Sequence, residues 1–165
     1  MKLLMIDAGH GGKDSGASAF GFLEKDLTLI IAKRVKELLK EYNPDITRTT
    51  DITLNPSLRT AKIRNKYKYC LSIHLNSFNQ RGIETIHATN SSEGKKLATE
   101  IANSLHKDLK LPLRRVFDRK NERTGKNFYY MHRNTGSTVT VIVESLFLDN
   151  KEDIRELNIE RISQA

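Results

Sequence analysis

Hydrophobic and polar positions follow two different periods along the chain, and their alternation predicts the order of strands and helices. Short apolar or β-branched runs that end in glycine or polar residues are typical of buried strands. Apolar residues spaced three and four apart are typical of helices that pack on such strands. The predicted strands are KLLMID (2–7), DITRTT (45–50), YCLSIHL (69–75), IETIHAT (83–89) and TVTVIVES (138–145).

Helical spacing fills the intervals between these strands. One helix is predicted from Glu24 to Tyr42, and another begins at Asn55-Pro56, with asparagine as its cap and proline in its first turn. A third helix begins at Ser91 and a last one follows Asn150. In the second helix, the predicted buried face consists of Leu58, Ala61 and Asn65. The alternation predicts an α/β fold: a single twisted, mostly parallel sheet of about six strands with helices on both faces.

The stretch 108–127 departs from this alternation. It has few acids, little apolar pattern and many basic residues, among them Arg114, Arg115, Arg119, Lys120, Arg123 and Lys126. We therefore predict a long, basic, mobile loop there. Such a loop either binds substrate or is a solvated connection.

Composition narrows the function classes. The 165 residues favour one domain, 1–165, and the single cysteine, Cys70, excludes an intramolecular disulfide and a cysteine-rich zinc site. We interpret Cys70 as a buried strand residue.

The net charge of +8 predicts attraction to polyanions, either nucleic acid or anionic wall polymers. No apolar run has the length of a membrane span, and none near the start resembles a signal peptide.

Chemically active residues lie at the ends of the predicted strands. His10 comes just after the first strand, His74 ends the third, Glu144 ends the last, and Glu24 begins the first helix. Sites in open α/β sheets form outside the carboxyl ends of strands. Two histidines and a carboxylate match a catalytic zinc site, with a further glutamate as proton carrier. Taken singly, each residue also has a structural interpretation, such as an acid at a helix N-terminus.

The glycine-rich stretch GHGGKDSG does not encode a phosphate-binding loop. Asp14 stands where a P-loop requires serine or threonine, and also where a dinucleotide fingerprint requires its third glycine. Nucleotide binding is therefore not predicted.

Together, these motifs resemble a known family. IDAGHGGKDSGA, LEKDLTLIIA, SIHLNS, GIETI and VIVESLFLDNKED are similar, in this order, to the zinc-dependent N-acetylmuramoyl-L-alanine amidases of the amidase-3 type. The resemblance implies one zinc ion bound by His10, Glu24 and His74, with Glu144 as the catalytic glutamate. It also implies that Gly9, Gly11 and Gly12 let the metal and then a glycan approach His10. Two positions depart from the family pattern: Ala8, often a proline, and His132, often an apolar residue.

Four further residues are candidates for supporting the ligands or binding substrate: Glu84, Asn76, Arg133 and Asn134. Glu84 is also the alternative metal ligand should Glu24 not bind.

The resemblance implies cleavage of the amide between N-acetylmuramic acid and L-alanine in bacterial peptidoglycan. We expect a monomer that acts at the cell wall, without a nucleic-acid partner or membrane insertion. The absence of a visible signal peptide favours either a phage endolysin released from the cytoplasm or a catalytic domain excised from a longer protein with a C-terminal wall-binding domain. Two alternatives stay open: a zinc peptidase that cuts within the stem peptide and, more distantly, a basic nucleic-acid-binding module.

Overall fold

The structure, a computed structural model, describes all of residues 1–165 and contains one six-stranded sheet. The strands of this sheet are β1 (Lys2–Ala8), β4 (Asp45–Ile46), β5 (Tyr67–Asn76), β6 (Ile83–His87), β7 (Leu113–Phe117) and β8 (Val139–Phe147). Their spatial order is β4-β1-β5-β8-β6-β7. Strands β4, β1, β5 and β8 are parallel, whereas β6 is antiparallel to β8 and parallel to β7. The predicted α/β fold class with a mostly parallel sheet is confirmed.

Six helices cover both faces of the sheet. They are α1 (Glu24–Leu38), α2 (Pro56–Ile63), α3 (Ser92–Leu109), α4 (Tyr130–Asn134), α5 (Lys151–Arg155) and α6 (Ile159–Gln164). Helices α1, α3 and α6 pack on the larger core, which includes Ile6, Ile73 and Val143. Helices α2 and α4 contact each other over a smaller core that contains Cys70 and Ile142. No helix combines the length and apolarity that crossing a membrane requires.

Side-chain caps fix where several helices begin. The Asn55 side chain accepts a hydrogen bond from the Leu58 amide at 2.8 Å, and the Ser91 hydroxyl accepts one from the Gly94 amide at 3.0 Å. Each cap satisfies an amide that has no partner within its own helix. The starts of α2 and α3 therefore lie where the sequence predicts them.

Other predicted boundaries were wrong. The strand 45–50 is reduced to the two residues of β4, because Thr47 and Arg48 turn their side chains into the interior to bind β1 and the loop after it. The last helix is interrupted, and Asn158 caps a separate α6. A two-stranded hairpin, β2 (Ser18–Ala19) and β3 (Phe22–Leu23), was not predicted.

The stretch 108–127 is also more ordered than the predicted loop. Residues Leu113–Phe117 form β7, which pairs with β6 at the edge of the sheet. The remainder is closed at its base by a bridge between Lys120 and Asn127.

Helix α2 was predicted with the wrong buried face, since it buries Arg59, Thr60 and Ile63 while Leu58 is exposed.

Candidate active site

A row of polar side chains crosses four neighbouring strands at one edge of the sheet. The strand register places His74 beside Glu144, Glu144 beside Glu84, and Glu84 beside Arg115. Residues directly opposite each other on paired strands present their side chains to the same face. The pairing therefore gathers groups that are distant in sequence along the edge where β5 ends.

Three potential ligand atoms meet at one end of this row. Glu24 Oε1 lies 3.0 Å from His10 Nε2 and 3.0 Å from His74 Nδ1, and the two nitrogens are 3.2 Å apart. Ligands at zinc–ligand distances of about 2.0–2.1 Å around a tetrahedral ion are separated by about 3.3 Å. The donor set and its spacing thus fit a single divalent metal ion, and these are the three residues that the family resemblance implies as ligands.

Glu24 reaches this point from the first turn of α1. Its Oε1 accepts a hydrogen bond from the Leu75 amide at 3.0 Å, and its Oε2 accepts one from the Ala17 amide at 2.7 Å. Burial by itself raises the pKa of Glu24, but hydrogen bonds to His10 and His74 outweigh burial and hold the pKa well below its usual value. Glu24 is therefore a fixed, ionised carboxylate.

The two histidines are oriented by their surroundings. His10 has a left-handed backbone with φ 57°, and its Nδ1 lies 2.9 Å from Asp14 Oδ2. A carboxylate on the second ring nitrogen is the usual device that orients a metal-binding histidine. For His74, burial lowers the pKa, but the hydrogen bond and charge of Glu24 prevail and raise the pKa to about 9. The carboxylate of Glu24 therefore favours a positive charge at the His74 ring.

Glycines make room for the ligand side chains themselves. A Cβ on Gly9 would lie 2.4 Å from His74 Cε1, and a Cβ on Gly16 would lie 2.5 Å from Glu24 Oε2. Gly11 and Gly12, at φ 127° and 61°, pack instead against residues 48–53. The expectation that the glycines next to His10 admit a metal and a glycan was therefore wrong, because protein atoms occupy that space.

Glu144 lies next to the three ligands in a cavity of about 410 Å³ that His10, Glu24 and His74 also line. Its Oε2 is buried and has no hydrogen-bond partner. Burial raises the pKa of Glu144 to about 7; the charge of His74 opposes this shift, and the carboxylates of Glu24 and Glu84 add to it. A carboxyl group with such a pKa both accepts and releases protons near neutral pH.

Two buried arginines connect the ligand loop to the rest of the protein. Arg59 Nη1 donates to Asp7 Oδ1 at 2.6 Å and to the Ala8 carbonyl at 2.7 Å, while its Nη2 donates to the His10 carbonyl at 2.7 Å. Arg48 Nη2 donates to the Gly9 carbonyl at 2.9 Å. Sequence reasoning missed both residues. The sequence around them carries no signal of burial, because arginine is usually exposed.

The remaining candidates occupy different places. Asn76 lines the cavity, whereas Glu84 lies behind it and contacts none of the three ligands. Arg133 and Asn134 are exposed on α4 and do not line the cavity; Arg133 donates hydrogen bonds to the carbonyls of residues 127 and 128. His132 is buried beneath the cavity wall that Tyr129, Tyr130 and Met131 form.

Comparisons with known proteins identify the family of the chain. The family profile described as N-acetylmuramoyl-L-alanine amidase matches residues 4–165. The endolysin of Bacillus phage SPP1 is 32% identical over 160 residues, which are 92% of this chain and 57% of that protein. The chain thus spans little more than half the length of this relative.

Solved structures are similar over nearly the whole chain. Cwp6 from Clostridium difficile has a TM-score of 0.90 and 31% identity, over 98% of this chain and 27% of that one. The catalytic domain of CwlV, an N-acetylmuramoyl-L-alanine amidase from Bacillus (Paenibacillus) polymyxa var. colistinus, has a TM-score of 0.83 and 26% identity, over 99% of this chain and 93% of that one. With the family profile matched from residue 4 to residue 165, the chain belongs to the N-acetylmuramoyl-L-alanine amidase family.

Proposed function

We propose that residues 1–165 form a catalytic domain that hydrolyses the amide between N-acetylmuramic acid and L-alanine in bacterial peptidoglycan. In this proposal one zinc ion is held by His10, Glu24 and His74, and Glu144 is the catalytic residue. One observation carries it: three converging ligand atoms share a cavity with a buried carboxylate oxygen that has no partner. The family of the chain supports the choice of substrate.

The donor set supports zinc as the metal. Two histidine nitrogens and one carboxylate are a common ligand set of catalytic zinc, which leaves a fourth position open. When bound, zinc acidifies a water molecule and stabilises negative charge on a carbonyl oxygen. Asp14 holds the His10 ring, and two backbone amides hold Glu24, so the chain presents these ligands in a fixed arrangement.

Glu144 moves the protons in this mechanism. Its Oε2 takes a proton from the attacking water as the oxygen of that water forms a bond to the carbonyl carbon. The same carboxyl group then gives a proton to the nitrogen of L-alanine as the carbon–nitrogen bond breaks. Because burial raises the pKa of Glu144 to about 7, both transfers are accessible at neutral pH.

The surplus of basic residues supports an encounter with anionic wall polymers. A net charge of +8 attracts polyanions over distances of about 10 Å at 0.1 M salt. We propose that the protein acts at the cell wall as a monomer.

A muropeptide digest tests the proposed function. Purified muropeptides incubated with the zinc-loaded protein are expected to release peptides whose new amino terminus is L-alanine. A new terminus inside the stem peptide would identify a peptidase instead. Elemental analysis of the same preparation is expected to give one zinc per chain, and stoichiometric content of another divalent metal would replace zinc in the proposal.

A further inference from the structure

Glu84 is a buried carboxylate whose hydrogen-bonding capacity is fully used. Its Oε1 accepts from Arg114 Nε at 2.7 Å and from Arg115 Nε at 2.9 Å. Its Oε2 accepts from Arg115 Nη2 at 3.2 Å and from Asn76 Nδ2 at 3.0 Å. These four bonds occupy about all the acceptor sites of a carboxylate. Glu84 therefore has no acceptor left for a ligand and acts through the groups it holds.

Asn76 is the one partner of Glu84 that lines the cavity. Its Nδ2 donates to Glu84, which only accepts, and its Oδ1 accepts from the Ser77 amide at 2.9 Å, which only donates. The side-chain amide therefore has one possible orientation. An asparagine amide carries two N–H donors, so one N–H group is left after the bond to Glu84.

The backbone of Asn76 is fixed as well. Between the pairs His74–Glu144 and Asn76–Phe147, strand β8 contains one extra residue, a β-bulge. The Leu148 amide then donates to the Asn76 carbonyl at 2.8 Å. Bulges beside active sites re-aim side chains and hold them in place. Asn76 is thus held from both its backbone and its side chain before any ligand arrives.

We propose that Asn76 is a substrate-binding residue, whose remaining Nδ2–H donates a hydrogen bond to a carbonyl oxygen of the bound substrate. Glu84, clamped by Arg114 and Arg115, is the positioning residue that orients this amide. The inference rests on the proposed function, since muropeptides carry lactyl, acetamido and peptide carbonyls. A donor fixed in advance binds such an oxygen with less loss of side-chain entropy than a free one.

Binding of a soluble muropeptide, measured by calorimetry, tests the role of Asn76. All proteins carry Glu144→Gln, which prevents turnover, and are loaded with zinc. Adding Asn76→Ala is expected to raise the dissociation constant about fivefold, which is the usual effect of losing one neutral hydrogen bond. The zinc content is expected to stay unchanged. The matched control, Asn103→Ala on the exposed side of α3, is expected to bind like its parent.

The outcomes separate this inference from the proposed function. Equal dissociation constants with and without Asn76→Ala overturn the inference alone. A Glu144→Gln parent that binds no muropeptide overturns both. If Asn76→Ala does not fold, Asn76→Ser replaces it, because a serine hydroxyl has a single hydrogen and lacks the second N–H, so the same loss is expected.

A double-mutant cycle tests whether Glu84 acts through Asn76. Glu84→Gln alone is expected to weaken binding, because glutamine loses the ion pairs with Arg114 and Arg115 that hold this side chain against Asn76. Combined with Asn76→Ala, it is expected to have no further effect, since the group it positions is gone. Additive effects of the two changes would show that Glu84 acts independently and would overturn its positioning role.

Discussion

Each proposed ligand at the metal centre is held by a neighbour that does not itself bind the ion. Asp14 holds the ring of His10, two backbone amides hold the Glu24 carboxylate, and Gly9 leaves the space in which the His74 ring lies. Supporting contacts of this kind typically change metal affinity by about 10–100-fold. The arrangement of the ligands is therefore a property of the folded chain.

Gly9→Ala tests this view of the centre. The new Cβ would lie 2.4 Å from His74 Cε1, so the ring must move away from Glu24. We expect zinc affinity, measured by competition with a chromophoric chelator, to fall at least about tenfold. Ser57→Ala, at an exposed position on α2, is the control. Zinc affinity equal to that of the parent in Gly9→Ala would refute the proposed placement of His74.

At the level of single residues, the sequence predicts the groups that lie at strand ends. His10 comes just after β1, and His74 and Glu144 lie near the C-terminal ends of β5 and β8. Parallel strands end at one edge of a sheet, so the convergence of these residues is predictable. The burial of Arg48 and Arg59 is not predictable, because their partners include backbone carbonyls of residues 8–10 that only the tertiary fold brings near. Composition alone assigns such arginines to the surface.

Among the elements, α4 forms a wall of the cavity and depends on a buried histidine. His132 lies on the inner side of α4, and its Nε2 is buried without a hydrogen-bond partner. Burial lowers the pKa of His132 to about 4, and the nearby His87 adds to this shift. The folded protein therefore keeps His132 neutral, whereas the unfolded chain takes up a proton below pH about 6.5.

The stability of the protein is thus expected to depend on His132 in acid. Between pH 7 and 5 the unfolded chain binds the extra proton, so the free energy of unfolding should fall by about 2 kcal/mol from this group. In His132→Leu, the free energy of unfolding should therefore decrease by about 2 kcal/mol less between pH 7 and pH 5 than in the parent. Urea unfolding at both pH values measures this difference. His106→Leu, at an exposed position, is the control. An unchanged pH dependence in His132→Leu would contradict the buried, neutral state of His132.

The inner strands were predicted better than the edges. β5 and β8 are rich in apolar and β-branched residues, and their bounds were predicted to within two residues at each end. β7 was missed because LRRVF has two adjacent arginines and no alternation, and because an edge strand pairs on one side only. Arg114 and Arg115 of β7 form ion pairs with Glu84 on β6, and the spacing of residues in the sequence does not reveal these contacts.

At the scale of the whole molecule, the basic surplus includes exposed residues in the loop 118–127. Lys120, Arg123 and Lys126 are exposed there, and none of their side chains takes part in a hydrogen bond or an ion pair. By contrast, Arg114 and Arg115 are paired with Glu84. The loop therefore carries free positive charge on a segment that closes on itself between Lys120 and Asn127.

Changing Lys120, Arg123 and Lys126 together to Gln should weaken binding to insoluble cell walls at 0.1 M salt and reduce its salt dependence, since screening acts on the same charges. Cleavage of a small soluble muropeptide should stay close to that of the parent. Sedimentation with purified walls measures the binding. Lys33, Lys36 and Lys40, changed together to Gln on and just after α1, form a control of equal charge. If the loop variant binds walls as well as this control variant does, the three basic residues of the loop have no special role in wall binding and are simply solvated.

The most direct test of the proposed mechanism is the rate at which L-alanine amino termini appear when Glu144→Gln acts on a soluble muropeptide, with zinc content measured on the same sample. Glutamine keeps the shape of Glu144 but cannot carry the proton, so we expect one zinc per chain and a rate at least about 10²-fold below that of the parent. Glu122→Gln, at an exposed position, should retain the rate of the parent. A zinc-loaded Glu144→Gln protein as fast as the parent would contradict the proposed mechanism.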